Sequence, residues 1–244
     1  MFRPFLGYII IAVAVILSVF IIASAARYKF KSGEIITVTG LAEKDFISDQ
    51  IVWKGSFTRS SYELRTAYNQ LKNDEAEIRS YLQQAGIPDS NIVFSSVDMQ
   101  RNYEGKYDPN GRFMGNEFRG YNLTGTVTVD SRNIPQVEKM SREITGLLEK
   151  GIELNSTRPS YYYSRLNELK IDLLSKASAD ARQRAESIAK NSGASLGSLR
   201  KANMGVFQIT GRNSNEDYTY GGVFNTSSKE KTASITLRGE YQVE

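Results

Sequence analysis

The feature that most constrains this chain is its N-terminal run, FLGYIIIAVAVILSVFIIASAA, in which no residue from Phe5 to Ala26 is charged. A helix that is apolar on every side is a deeply buried helix or a membrane span. At ~1.5 Å per residue this one reaches ~33 Å, the hydrocarbon thickness of a bilayer. The run therefore reads as a transmembrane anchor over 5–26, after a short segment 1–4 and before a polar linker 27–33. A domain over 34–244 follows, with room for two subdomains. A cleavable signal has an apolar region of only roughly 7–15 residues, so the length favours retention. Ala23-Ser24-Ala25 nevertheless offers a small-x-small cleavage pattern, which leaves a cleaved, periplasmic or secreted form as the alternative. No second apolar run exists, so everything after Arg27 lies on one side of the membrane. Arg3 precedes the run, whereas Arg27, Lys29 and Lys31 follow it. Positive-inside bias alone would place the domain in the cytoplasm; export beginning at a first apolar segment would place it outside.

Two absences narrow the chemistry. The chain has no cysteine and no histidine. That removes disulfides, thiol nucleophiles, the Ser-His-Asp arrangement and nearly all zinc or copper sites. Catalysis would have to come from carboxylates, Lys, Tyr or Ser. The sequence holds no P-loop, no G-x-G-x-x-G, no EF-hand loop and no G-x-S-x-G. No cofactor and no metal are expected, and a non-enzymatic role is the leading reading. Net charge is +4, spread along the chain without a basic block, so a nucleic-acid partner is not expected.

Periodicity divides the domain. Ile35–Thr39 is β-branched and reads as a strand. Gln50–Thr58 alternates as a second, with the polar stretch Gly40–Asp49 as a turn between them. Tyr62–Ala85 has a helical stripe of Leu64, Tyr68, Leu71, Ile78 and Leu82, stopped by Gly86 and Pro88. Asn91–Gln100 reads as a strand and Arg101–Gly120 as a long loop. Tyr121–Asp130 alternates strictly as a half-buried strand. Pro135–Lys150 is a helix with proline in its first turn. After a short strand at Ser160–Tyr163 comes a long helix, Leu166–Ser192, whose alanines allow close packing. Met204–Thr210 and Thr232–Val243 are the last strands, joined by the polar loop Gly211–Lys231. The predicted fold is α+β, mainly antiparallel sheets packed with three helices after the N-terminal span, in the order ββαββαβαββ.

Candidate interaction residues concentrate in the two loops. In the first, Tyr103, Tyr107, Phe113 and Phe118 alternate with Arg101, Lys106, Arg112 and Arg119. Aromatic side chains among basic ones suit a protein partner or a stacking ligand. A loop of this length is unusual without a function; an idle hairpin tip is the alternative. The second loop carries Tyr218, Tyr220 and Phe224. Glu43, Asp45 and Asp49 cluster before the second strand and read as solvated turn residues, with a carboxylate-pair hydrolase as the distant alternative. Asp180–Arg184 and Arg182–Glu186 read as surface pairs one helical turn apart.

Three stretches together resemble the SIMPL-domain family of bacterial envelope proteins, which includes periplasmic immunogenic proteins. They are Ile36-Thr-Val-Thr-Gly40 with Ser48-Asp49-Gln50, the strand opened by Gly120-Tyr121, and the helix with Ala177, Asp180, Ala181, Arg182, Ala185, Glu186 and Ala189, followed by Gly193, Leu196 and Gly197. Ser48 stands where that family usually has proline. The resemblance implies export, an α+β fold, ring-like or barrel-like self-assembly and a link to envelope stress; it implies no catalytic residues. The resulting expectation is an extracytoplasmic domain tethered to the inner membrane that forms a homo-oligomer. A binding module for a cell-wall or small-molecule ligand is the alternative.

Overall fold

A computed structural model describes residues 13–24 and 34–244. Residues 13–24 form helix α1. Among the described residues no helix is long and apolar enough to cross a membrane. The expected span, Phe5–Ala26, runs past α1 at both ends. Its flanks, the segment 1–4 and the linker 27–33 lie outside the described residues.

The domain runs β1 (Ile35–Ile47), β2 (Gln50–Ser61), α2 (Leu64–Gln84), β3 (Ile92–Phe94), β4 (Asp98–Tyr107), β5 (Phe113–Ser131), α3 (Ile134–Glu143), β6 (Leu154–Ser156), β7 (Ser160–Tyr162), α4 (Leu166–Asn191), β8 (Leu196–Met204), β9 (Gln208–Gly211) and β10 (Glu230–Val243). The order is thus ββαβββαββαβββ rather than ββαββαβαββ, although the class is α+β and the named strands pair antiparallel, as expected. A short 3-10 stretch, Ile144–Lys150, takes over the second half of the helix expected to reach Lys150.

The strands form two sheets. The smaller places β10 between β1 and the interrupted strand β8–β9; the larger is ordered β3-β5-β2-β6, with β4 also on β5 and β7 also on β2. β1 and β2 follow one another yet lie in different sheets. Reading Gly40–Asp49 as a turn is therefore corrected: β1 continues to Ile47, and only Ser48 and Asp49 carry the chain between sheets. The polar residues that imitated a turn, Glu43 and Asp45, sit on the exposed face of β1.

Each sheet buries one face beneath helices. α2 and α3 cover the larger sheet through Leu71, Ile78, Leu82, Val137 and Met140 against Trp53, Phe57, Val127 and Val129. Each such side chain contributes roughly 1.5–3 kcal/mol of burial. α4 covers the smaller sheet with Leu169, Leu173, Ala177, Ala181 and Ala185 against Val38, Ala42, Ile235 and Leu237. The alanines are needed because α4 lies almost in contact with the β1 backbone. A Cβ at Gly40 would overlap the Ala177 carbonyl oxygen and approach the Ala181 methyl to 2.8 Å. Asp180 accepts a hydrogen bond from the Leu41 N–H at 2.8 Å, fastening the same crossing.

Lys231 of β10 is buried where the two sheets meet. Its ammonium donates to the Tyr161 carbonyl at 2.6 Å and to the Asn225 carbonyl at 2.6 Å. Tyr161 belongs to β7 of the larger sheet, so one side chain ties both layers to the Gly211–Lys231 loop.

Candidate functional site

The stretch Arg101–Gly120 is not a loop. β4 and β5 pair from Asp98↔Thr124 to Tyr107↔Phe113. β2, the neighbour of β5 on its other side, stops at Ser61↔Tyr121. Beyond Tyr121 the hairpin therefore continues as a two-stranded arm without sheet neighbours. Gly120 marks the departure: its φ is +116°, and a Cβ there would lie 2.6 Å from the Ser61 carbonyl oxygen. A register shift between Asn102 and Tyr103 accompanies it; such bulges bend a strand out of its sheet. At the tip, Asp108 Oδ1 accepts from the N–H groups of Asn110 at 2.9 Å and Arg112 at 2.8 Å.

The arm has an aromatic face. Tyr103 stands opposite Phe118, and Tyr107 opposite Phe113. Each pair meets edge to face, with centroids 5.7 Å apart. Phe118 also contacts Tyr121 at 5.2 Å and Tyr62 at 6.5 Å. Such pairs add about 0.5–1.5 kcal/mol beyond area burial, which stiffens a ribbon that is otherwise marginal in water. The rings remain open to solvent: Tyr107 is 64% exposed and Phe113 59%, with Met114 beside them at 65%. Glu104 and Glu117 face each other across the strands. Arg119 offsets that repulsion, reaching Glu104 at 2.6 Å and Glu117 at 3.5 Å. The Tyr62 hydroxyl first, and Glu104 second, hold its guanidinium above the ordinary range.

At the base of the arm the sheet face passes beneath the first turns of α2. There Leu64, Arg65, Tyr68, Val97, Met99 and Leu123 surround an open depression of about 520 Å³. Sequence reasoning passed over Met99, Met114 and this depression. The alternation Met99, Tyr103, Tyr107 is a strand signal, masked by the Gly and Asn residues around it.

Tyr218 and Tyr220 lie elsewhere, over the outer face of the smaller sheet. They border a cleft of about 390 Å³ floored by Leu41, Ser234 and Thr236. Tyr218 donates to Glu43 at 3.5 Å, and its oxygen accepts from Ser234 at 3.1 Å. Tyr103, Tyr107, Phe113 and Phe118 thus form one surface and Tyr218 and Tyr220 another, while Phe224 lies by Lys231, whose ammonium is 5.9 Å from the ring centroid. The loop that carries Tyr218 and Tyr220 is held by polar side chains that periodicity does not reveal. Glu216 accepts from Gly211 N–H at 2.9 Å and from Asn225 Nδ2 at 2.5 Å. The Gly211 N–H is the chief cause that keeps its carboxyl below the ordinary range. Burial pushes Lys231 down to about 8, against the opposing pull of Glu216.

The carboxylates before β2 do not converge. Glu43 meets Tyr218; Asp45 meets Thr232 and Arg212; Asp49 accepts from the N–H and the hydroxyl of Ser164, each at 2.7 Å. Among the described residues no cluster of acidic side chains could hold a metal ion. Asp180–Arg184 and Arg182–Glu186 are ion pairs on α4 at 2.9 Å and 2.8 Å. In β7 the Tyr161 hydroxyl donates to Glu138 at 2.9 Å, and burial ahead of that bond raises it to about 12. Ser48, the departure from the usual proline, donates its N–H to the Lys229 carbonyl at 2.9 Å, a bond that proline would forfeit.

No curated protein matches the chain. One family model does, over residues 36–243: SIMPL, described as a protein of unknown function (DUF541). Its match takes in the Gly40–Ala177 crossing, the Gly120 bulge and the arm between them. On that near-complete match from β1 to β10, the chain belongs to the SIMPL family.

Proposed function

We propose that this chain is a non-enzymatic envelope protein, anchored in the inner membrane by Phe5–Ala26, that assembles through its β4–β5 arm on the extracytoplasmic side. The observation that carries the reading is the solvent-open aromatic face of an arm that has no sheet neighbour. Exposed apolar patches on folded domains mark interaction surfaces, and Tyr and Phe are enriched at the cores of such surfaces. The tip bearing Tyr107, Phe113 and Met114 is an apolar knob; the depression beside Leu64 and Met99 is an apolar hole at the arm's other end. A knob and a hole at different places on one molecule give a heterologous contact, which closes into a ring when the rotation permits. One anchor per subunit then multiplies over the ring into firm membrane attachment. The uncharged length of Phe5–Ala26 supports the anchor, and family membership supports the outward topology.

The test is the molar mass of the full chain in detergent, by light scattering with the detergent contribution subtracted. A discrete multiple of the 27.4 kDa subunit is expected, reduced to a monomer by Tyr107→Ser with Phe113→Ser. A monomer at every concentration, for the unaltered chain, would remove the proposal.

A further inference from the structure

The cleft under Tyr218 is independent of the arm, and its construction differs from that of an accidental surface hollow. Its floor is the outer face of the smaller sheet, where Leu41 pairs with Thr236 and Glu43 with Ser234. Its wall is the loop segment that includes Tyr218 and Tyr220. That segment is gripped at both ends by one buried side chain: Gln208 donates from Nε2 to the Thr219 carbonyl at 2.9 Å, and its Oε1 accepts from the Val223 N–H at 2.7 Å. Two main-chain bonds flank the grip, Ile209 N–H to Val223 O at 2.7 Å and Asn225 N–H to Ile209 O at 2.9 Å. Behind them stand the buried Asn225 and Lys231, with the exposed Glu216 bonded to Asn225, a polar set that anchors the loop rather than adding apolar burial. Buried polar groups weaken a core unless every partner is placed. Here they hold two tyrosines over a sheet face.

The lining defines the ligand class. The lining residues of the cleft are uncharged, and the charged group bonded to them is the Glu43 carboxylate at the rim, so a phosphate finds no counter-charge there. The site is an open trough, so it does not enclose an acyl chain. It offers tyrosine ring faces above hydroxyls that both donate and accept. Tyr218 is fixed by Ser234 and Glu43, while Tyr220 is fully exposed at the rim. Flat rings that cover C–H faces, with hydroxyls and a carboxylate at the rim for equatorial hydroxyls, match a sugar ring. From this arrangement we infer that the cleft is a saccharide-binding site in which Tyr218 and Tyr220 stack on the pyranose rings of an extended, β-1,4-linked glycan. A floor of extended strands accepts such a ribbon-like chain better than a coiled α-1,4-linked one. Gln208 is a positioning residue: it touches the loop and fixes the tyrosines in advance, which lowers the ordering cost of binding.

Calorimetric titration of the full chain, in a detergent without a sugar headgroup, tests the site with two probes: the β-1,4-linked N-acetylglucosamine tetramer and maltotetraose. Saturable binding of the β-1,4-linked probe is expected, tighter than that of maltotetraose. Tyr218→Ala with Tyr220→Ala should weaken it at least about tenfold, and Tyr218→Phe, which keeps the ring, should retain most of it. Circular dichroism checks that each variant is folded. The arm variant Tyr107→Ser with Phe113→Ser should bind the glycan unchanged, so that failure of assembly and failure of this site are read separately. Absence of saturable heat with the β-1,4-linked probe at millimolar concentration overturns the inference, as does undiminished binding by the folded double-alanine variant.

Discussion

At the scale of single residues, two positions govern the smaller half of the domain. Gly40 is the point where α4 and β1 come closest, and backbone atoms of α4 occupy the space that a methyl would need. Gly40→Ala should therefore destabilise the fold by about 3 kcal/mol, the upper range for overpacking, measured by urea unfolding. Lys231 sets a pH dependence. Burial holds its folded value at about 8, against 10.5 for a free lysine. Below pH 8 both states are protonated and the burial cost is felt in full. Between pH 8 and 10.5 the unfolded chain binds more protons than the folded one, so stability rises with pH. Tyr161, raised from 10.0 to about 12, acts in the opposite sense only above pH 10. From pH 8 to 10 the unaltered protein should gain on the order of 1 kcal/mol relative to Lys231→Met. Parallel unfolding free energies for the two proteins across that interval would refute the assignment.

At the scale of elements, the arm is an appendage and the sheet-plus-helix layers are the body. The arm's strands pair with each other, while its edges and both faces remain open beyond Tyr121. Replacing residues 104–117 by an Asn-Gly turn, which suits a two-residue hairpin, should change the unfolding free energy by no more than about 1 kcal/mol. The same replacement should abolish the proposed assembly. A loss of several kcal/mol would place the arm in the body of the fold. α4 behaves differently: its buried alanine stripe and the Asp180 bond to Leu41 make it inseparable from β1.

At the scale of the whole molecule, the two layers meet through few contacts that periodic patterns can announce. The links include Lys231, the Phe46–Tyr163 ring contact at 4.9 Å, the Lys229–Glu138 ion pair at 3.6 Å and the Tyr161 N–H bond to the Thr226 carbonyl at 2.7 Å. Assembly should appear in hydrogen exchange. Amides of residues 103–118 should exchange rapidly in the arm variant Tyr107→Ser with Phe113→Ser. They should be protected in the unaltered oligomer, because strand edges gain protection only when they are covered. Equal rates in both would place the interface elsewhere.

Part of this molecule was legible in its residues. The stripes of α2 and α4, and the alternation of Leu123, Val127 and Val129, follow from burial of one face at a fixed period. The SIMPL motifs at Gly40, Gly120 and Ala177–Gly197 identified the family. The aromatic residues at 103–118 stood out in the sequence too, but their strand conformation did not, because the arm buries neither face and the Gly and Asn residues among them mask the alternation of Met99, Tyr103 and Tyr107. The tertiary structure alone decided that β1 and β2 lie in different sheets, since strand pairing depends on partners far along the chain. It alone separated Tyr218 and Tyr220 from the arm and brought Gln208, Glu216, Asn225 and Lys231 together behind them. Polar side chains carry no period; their meaning lies in the partner that folding brings within hydrogen-bond distance.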